Sequence, residues 1–430
     1  MNKKIDIIKE IAYKLSDYKY VLQVMNDPQN KQKMINKMIS LFDEKTLSHG
    51  LPAICMLYAE LSYIFPDEEW DIKAHEYLQI LQKNMENREI YDLSMFSGYA
   101  GIGLTVRCLS KNGERYCKLK GYINQLIHSA LYDLIEQLYK SKYCFMRDYD
   151  VISGLSGILS YTILEDDLID ANEKIGEYLV YRCQNILYKN TKIFGLYIPR
   201  ENQFLEQDKL NFPNGNFNLG LSHGIPGVLL ALCMLKKYKY NIMGLDDAIH
   251  ACASLLYKFI DKREQRWNAY LSLDENLNGR ILTHQTRDAW CYGSPGVSYA
   301  LYASGVLLKN KNFCKLSINV MKNMINNVKG IYSPTFCHGY IGVAYIYWRF
   351  YEMTGIIEFE KYANQLCDKI WEFYSENNPF GFKDIEYIGS THQIGLLSGV
   401  VGILLPLLAI YGYKETKWDN AFMLGSFFDE

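Results

Sequence analysis

Apolar residues along the chain fall into two alternating patterns. Stretches such as Ile158-Leu159-Ser160-Tyr161 and Val228-Leu229-Leu230-Ala231-Leu232 are apolar on every side, which predicts helices buried all round. Between them, Lys118 to Tyr139 and Ile242 to Arg263 carry charges at helical intervals, which predicts helices exposed on one face. Each uniformly apolar stretch begins beside a pair of glycines, and that arrangement recurs along the chain. The copies are Ser48-His49-Gly50-Leu51-Pro52-Ala53, Ser97-Gly98-Tyr99-Ala100-Gly101, Ser153-Gly154-Leu155-Ser156-Gly157 and Ser222-His223-Gly224-Ile225-Pro226-Gly227. Tyr292-Gly293-Ser294-Pro295-Gly296, His338-Gly339-Tyr340-Ile341-Gly342 and Ser398-Gly399-Val400-Val401-Gly402 complete the set of seven. Only the first departs, with Ala53 in place of the second glycine. Seven outer-inner helix pairs predict an all-α fold, an α/α toroid whose inner-helix starts face a common mouth. Function is expected at that mouth.

The whole of 1–430 is expected to form this one toroid. Uneven spacing before His223 and before Cys291 leaves room for β or loop insertions near 191–220 and 264–288. Phe194-Gly195-Leu196-Tyr197-Ile198-Pro199 and Arg266-Trp267-Asn268-Ala269-Tyr270-Leu271 have strand-like content, whereas Asn211 to Asn218 is rich in Asn, Gly and Pro. The first 45 residues predict one or two outer helices interrupted near Asp27-Pro28, and the tail from Lys414 to Phe427-Phe428-Asp429-Glu430 carries no motif. Ile394 to Gly412 is uncharged and of about the length that spans a bilayer. Ser398, Gly399, Gly402 and Pro406 interrupt it, and it follows the pattern of the other six copies, so it is expected to be a buried helix.

Composition narrows the possibilities. A formal net charge of −2 with both signs intermixed suggests neither a nucleic-acid groove nor a polybasic membrane anchor. The start, Met1-Asn2-Lys3-Lys4-Ile5-Asp6, runs into charged amphipathic sequence without the apolar core of a signal peptide. Eleven cysteines without a compact framework of spacings fit reduced thiols in a cytoplasm, most of them small core residues.

The chemistry-bearing residues gather beside the glycines. Cys291, Cys337 and His338 are ligands of the kind that bind zinc, and three of them leave the open position of a catalytic rather than a structural site. Two core cysteines and a satisfied histidine are the alternative. His223 precedes the glycine of the fourth copy, where an imidazole suits general acid or base work or bonds to a loop. His49 occupies the same position in the first copy, and local sequence does not separate the two. Asp150, just before the third copy, either orients a histidine or caps an inner helix. Arg287 and Tyr292 flank Cys291 and can bind a carboxylate or stabilise an anion; a loop salt bridge and a core aromatic are the alternatives, and Asp288 is placed for a local pair with Arg287. His75, His128, His250, His284 and His392 are expected to be structural or exposed.

Taken together, Tyr149-Asp150-Val151-Ile152-Ser153-Gly154-Leu155-Ser156-Gly157, Ser222-His223-Gly224, Arg287-Asp288-Ala289-Trp290-Cys291-Tyr292-Gly293 and Cys337-His338-Gly339 resemble the lantibiotic cyclases, the stand-alone LanC-type lanthionine synthetases. The resemblance runs from about Leu47 to about Leu408, in order. It implies a seven-fold toroid with a small β-containing extension and one Zn2+ held by Cys291, Cys337 and His338. Asp150, His223, Arg287 and Tyr292 would surround that metal, with His223 as the favoured acid/base. It further implies a cytoplasmic enzyme that closes thioether rings in a dehydrated lanthipeptide precursor, beside a separate dehydratase and an export transporter that could bring it to the membrane. No nucleic acid and no membrane insertion are expected. A non-catalytic zinc toroid that binds peptides or thiols and a protein prenyltransferase-like zinc toroid are the competing possibilities.

Overall fold

The computed structural model describes residues 2–34, 37–87, 92–282, 287–387 and 389–425. The chain divides into two compact units, one of Met1–Asp92, Phe96–Gly121 and Ile331–Trp418, the other of Leu93–Met95, Tyr122–Gly330 and Asp419–Glu430. Each glycine copy opens a helix: α1 (Leu51–Ile64), α2 (Tyr99–Leu109), α3 (Leu155–Thr162), α4 (Ile225–Lys237), α5 (Ser294–Leu307), α6 (Tyr340–Thr354) and α7 (Val401–Ile410).

The second glycine of the pair has a steric reason. In four of the copies the loop before the helix curls back until one of its carbonyls lies over the glycine Cα. A Cβ on Gly157 would lie 2.0 Å from the Val151 oxygen, and on Gly227 2.5 Å from that of Leu221. Gly296 and Gly402 meet the oxygens of Trp290 and Leu396 in the same way, six positions earlier each time. Gly293 is also held at φ +103, a backbone region that side chains with a Cβ avoid.

In the first unit α1 packs on α2 and α7, and α6 packs on α7. Trp70–Glu86 covers α1, and Ile357–Trp371 covers α6. The latter buries Phe359, Tyr362, Ala363, Leu366, Cys367 and Ile370, the helical spacing of a single apolar stripe. In the second unit α4 packs on both α3 and α5, with Ile169–Arg182, Leu245–Lys258 and Lys311–Met324 as their outer partners. The inner helices are buried all round, as their sequence predicts: α4 buries every residue from Ile225 to Leu235. Leu245–Lys258 is shorter at both ends than the segment Ile242 to Arg263, whereas Cys117–Lys140 matches its prediction closely.

Within Ile394 to Gly412 only Val401–Ile410 is helical, with Pro406 inside it. Among the described residues no helix is long and apolar enough to cross a membrane. Helices Asn2–Leu15 and Tyr18–Met25 precede the expected break at Asp27-Pro28. His284 and residues 426–430 of the tail lie outside the described residues.

The described strands form four small two-stranded sheets. Asn216–Asn218 pairs antiparallel with Tyr270–Ser272, with Phe217 opposite Leu271 and Asn218 opposite Tyr270. The strand-like stretch Phe194 to Pro199 is realised only as the end of strand Thr191–Phe194 and a bridge from Ile198 to Asn216. Asn211 to Asn218, irregular by composition, supplies a strand instead, because its partner stands far along the chain. The hairpin of Asn185–Tyr188 with Thr191–Phe194 turns through Lys189 and Asn190, both at positive φ. That is the geometry of a type I′ turn without its usual glycine, so the sequence gives little warning of it.

Candidate active site

Backbone bonds stitch the helix-start loops together within each unit. In the second, Val151 N–H donates to Ser222 O (3.0 Å) and Ser222 N–H to Cys291 O (3.3 Å). The Ser222 hydroxyl donates to the same Cys291 carbonyl. These bonds fix the loops before α3, α4 and α5, and with them Asp150, His223, Cys291 and Tyr292.

Asp150 is bonded on two sides, to the loop before α3 and to His223, and does not cap the helix itself. One carboxylate oxygen, Oδ1, accepts from the backbone N–H groups of Ser153 (2.7 Å) and Gly154 (2.8 Å) at the start of α3. Its other oxygen, Oδ2, stands 2.5 Å from His223 Nδ1. Asp150 is 1% exposed and the His223 side chain 25% exposed. A carboxylate held from behind by two peptide N–H groups therefore fixes the imidazole with Nδ1 as donor. His223 Nε2 is left as the atom for proton transfer.

Tyr292 belongs to the same cluster, its ring centroid 6.2 Å from that of His223. Asn218 Nδ2 donates to the Tyr292 hydroxyl (3.1 Å), and Asn218 Oδ1 accepts from Gly220 N–H (2.9 Å). The Gly220 bond fixes which way the amide faces. The Tyr270 hydroxyl lies 3.4 Å from that of Tyr292. Burial pushes the Tyr292 phenol well above its ordinary value, so it remains a neutral hydrogen-bond donor. Asn218 and Tyr270 were not singled out from sequence. The polar-apolar-polar run Asn216-Phe217-Asn218 places both asparagines on one strand face, and that period is the signal that was available.

A cavity of about 630 Å³ is lined by Asp150, His223, Tyr292, Asn218 and Tyr270, together with apolar side chains. Arg287 and Cys291 are not among its lining residues. Arg287 is half-buried in the loop before α5, where its carbonyl covers Gly293. Asp288, expected to pair with Arg287, is fully buried, and its Oδ2 accepts from Arg266 Nε (3.1 Å) and Lys329 N–H (2.9 Å). That carboxylate anchors the loop from behind.

In the first unit, Cys337 and His338 precede α6, and Cys337 N–H donates to Leu397 O (2.9 Å) in the loop before α7. His338 Nε2 lies 2.7 Å from Glu386 Oε1 and 3.9 Å from Asp384 Oδ1. The ligand atoms of these three residues all lie within 4.8 Å of one another. Hydroxyls of Ser333 and Thr335 donate to Asp384 Oδ1. Burial raises the Asp384 carboxyl to about 6, against the lowering effect of His338. Asp384 and Glu386 also escaped the sequence reading, although Asp384-Ile385-Glu386 has strand alternation. His49 heads α1 of the same unit, and burial outweighs nearby Asp43 to bring its imidazole down to about 4. Of the remaining histidines, His128 pairs with Asp170, His75 with Gln79 and Tyr116, and His250 with Ser254 on outer helices.

The chain is 28% identical over 426 residues to the nisin biosynthesis protein NisC of Lactococcus lactis subsp. lactis, covering 94% of this chain and 97% of that protein. The solved structure of nisin cyclase superposes with a TM-score of 0.79 at 27% identity, over 98% of both chains. This places the chain in the expected fold class, an all-α α/α toroid with small β elements. The family model for lanthionine synthetase C-like proteins matches residues 42–423, and the chain belongs to that family.

Proposed function

We propose that this protein is a lanthionine cyclase, which adds cysteine thiols of a precursor peptide to dehydroalanine or dehydrobutyrine residues and so closes thioether rings. The observation that carries the reading is the Asp150–His223 pair, oriented by backbone donors and opening into a cavity of about 630 Å³. In the addition, the substrate sulfur bonds to the alkene β-carbon and the electron pair moves onto the adjacent carbonyl as an enolate. His223 Nε2–H then delivers a proton to the α-carbon, replacing the proton lost by the thiol. Asp150 holds the imidazole for that transfer. The Tyr292 hydroxyl, which lines the cavity, is the donor proposed for the enolate oxygen, with Arg287 in the neighbouring loop adding positive charge.

Cys291, Cys337 and His338 are the proposed ligands of one Zn2+. Two sulfurs and an imidazole suit zinc among the common divalent ions, and three protein ligands leave one position open. Bound there, zinc would lower the pKa of an incoming cysteine thiol so that it reacts as a thiolate. The loop bonds to the Cys291 carbonyl and from Cys337 N–H hold both residues by their backbones. The dehydrated precursor is the proposed substrate, a separate dehydratase its source and an export transporter a further partner, with the chain working in the cytoplasm.

The test incubates purified protein with dehydrated precursor and follows loss of alkylatable cysteine thiols, since cyclisation leaves the peptide mass unchanged. The reading expects thiol consumption by the wild type. A wild type that leaves the thiols free, or His223→Ala and Asp150→Asn variants that consume them at the normal rate, would refute it.

A further inference from the structure

The cavity beside His223 has one wall that the chemistry above leaves unused. Phe204 is 76% and Leu205 49% exposed, yet both line this cavity, along with Phe145, Met146, Ile152 and Ile198. Single exposed apolar residues are ordinary on a protein surface. These two differ because their loop is held on both sides. Asn202 Nδ2 donates to Cys144 O (3.0 Å) and Gln203 Nε2 to Phe212 O (3.0 Å), while Leu205 O accepts from Asp208 N–H (3.0 Å) in the next helix. Gln203 is itself buried. The neighbours fix the backbone, so Phe204 and Leu205 are presented to the cavity and cannot fold away into a core. Water-exposed apolar surface kept in place at the edge of a reaction cavity is a binding surface awaiting an apolar group.

We infer that Phe204 and Leu205 form an apolar subsite for the hydrophobic side chain of the peptide residue next to the dehydrated one. The inference rests on the cyclase reading for the identity of the peptide. Its geometry stands on the cavity: the groups that act on the alkene and the two exposed apolar side chains line the same space of about 630 Å³, within the range of sites that enclose small ligands. A charged side chain at that peptide position would lose its water against Phe204 and Leu205 without gaining a partner there.

The experiment measures binding without turnover. Fluorescent dehydrated peptides in which every cysteine is replaced by alanine carry either leucine or serine beside the dehydro residue, and their affinities are compared by anisotropy. Wild type is expected to prefer the leucine peptide by roughly tenfold, the scale of one small apolar group in a pocket. The Phe204→Ser, Leu205→Ser double variant is expected to lose that preference while binding the serine peptide as before and melting at the same temperature. With cyclisable peptide its KM rises for the leucine sequence and kcat stays. A preference that persists in the double variant, an absent preference in the wild type, or an equal loss for both peptides would overturn the inference. Selective binding by a chain that forms no thioether would refute the cyclase reading and leave the subsite standing.

Discussion

Ser48-His49-Gly50 and Ser222-His223-Gly224 are the same three residues at the start of an inner helix, one in each unit. Their imidazoles have opposite fates. His223 has a carboxylate 2.5 Å from Nδ1. His49 Nδ1 is buried with no hydrogen-bond partner among the described residues, and its imidazole is brought down to about 4. A histidine before a helix-start glycine is thus a position, and its partner is the residue that the adjoining loop brings to it. Here that residue is Asp150, absent from the local sequence of either histidine.

The largest way to break the comparison is to remove the partner. Asp150→Asn keeps an oxygen for the Ser153 and Gly154 N–H groups but no longer fixes His223, and cyclisation should fall roughly 10²- to 10⁴-fold, as for loss of general acid-base catalysis. His223→Ala should match it, whereas His49→Ala should stay within about twofold; initial rates of thiol consumption decide. An equal loss at both histidines would end the distinction. Replacing Cys291, Cys337 or His338 by alanine should lower the zinc content of the purified protein, read by elemental analysis independently of activity.

His49 sharpens the contrast through pH. A folded pKa of about 4 against about 6.5 unfolded means that the unfolded chain binds the extra proton between those values. Stability therefore rises with pH across that window, is complete above it, and is lost as pH falls towards 4. The contribution is on the order of 3 kcal/mol. Denaturant unfolding at pH 5 and pH 7 should show a slope that His49→Leu removes.

Smaller effects test the glycines. Gly157→Ala drives a Cβ into the Val151 carbonyl, the residue after Asp150, and should cost about 1–3 kcal/mol of stability with a loss of rate. At the corresponding position of the first copy the chain carries Ala53, fully buried. Ala53→Gly should cost only about 0.5–1 kcal/mol, the ordinary penalty of glycine in a helix, with no change in cyclisation. Thermal melts of the two variants give both numbers.

These contrasts also mark how far the sequence could be read. The helix starts were legible because a steric need repeats: at Gly157, Gly227, Gly296 and Gly402 the loop passes a carbonyl over the Cα, and glycine records it. Cys291, Cys337, His338, His223 and Asp150 were legible as candidates because they stand in those loops. His223 and His49 were not separable, since the carboxylate that distinguishes them stands 73 positions from His223. Asn218, Tyr270, Asp384 and Glu386 act from short strands whose partners or targets are remote, and three-residue strands leave almost no periodic trace. Phe204 and Leu205 looked like any apolar pair in an insertion. Only the bonds of Asn202 and Gln203 reveal that they are held in place.

At Gly157, Gly227, Gly296 and Gly402 the covering carbonyl lies six positions upstream, which makes those four loops rulers of one length. Four marks before the second glycine stand His223, Tyr292 and His338, and five before it stand Cys291 and Cys337. Equivalent seats around the helix starts can thus be refilled one at a time, by imidazole, phenol, thiol or hydroxyl, without redrawing the backbone. Lengthening any of these loops by one residue would unseat its occupant.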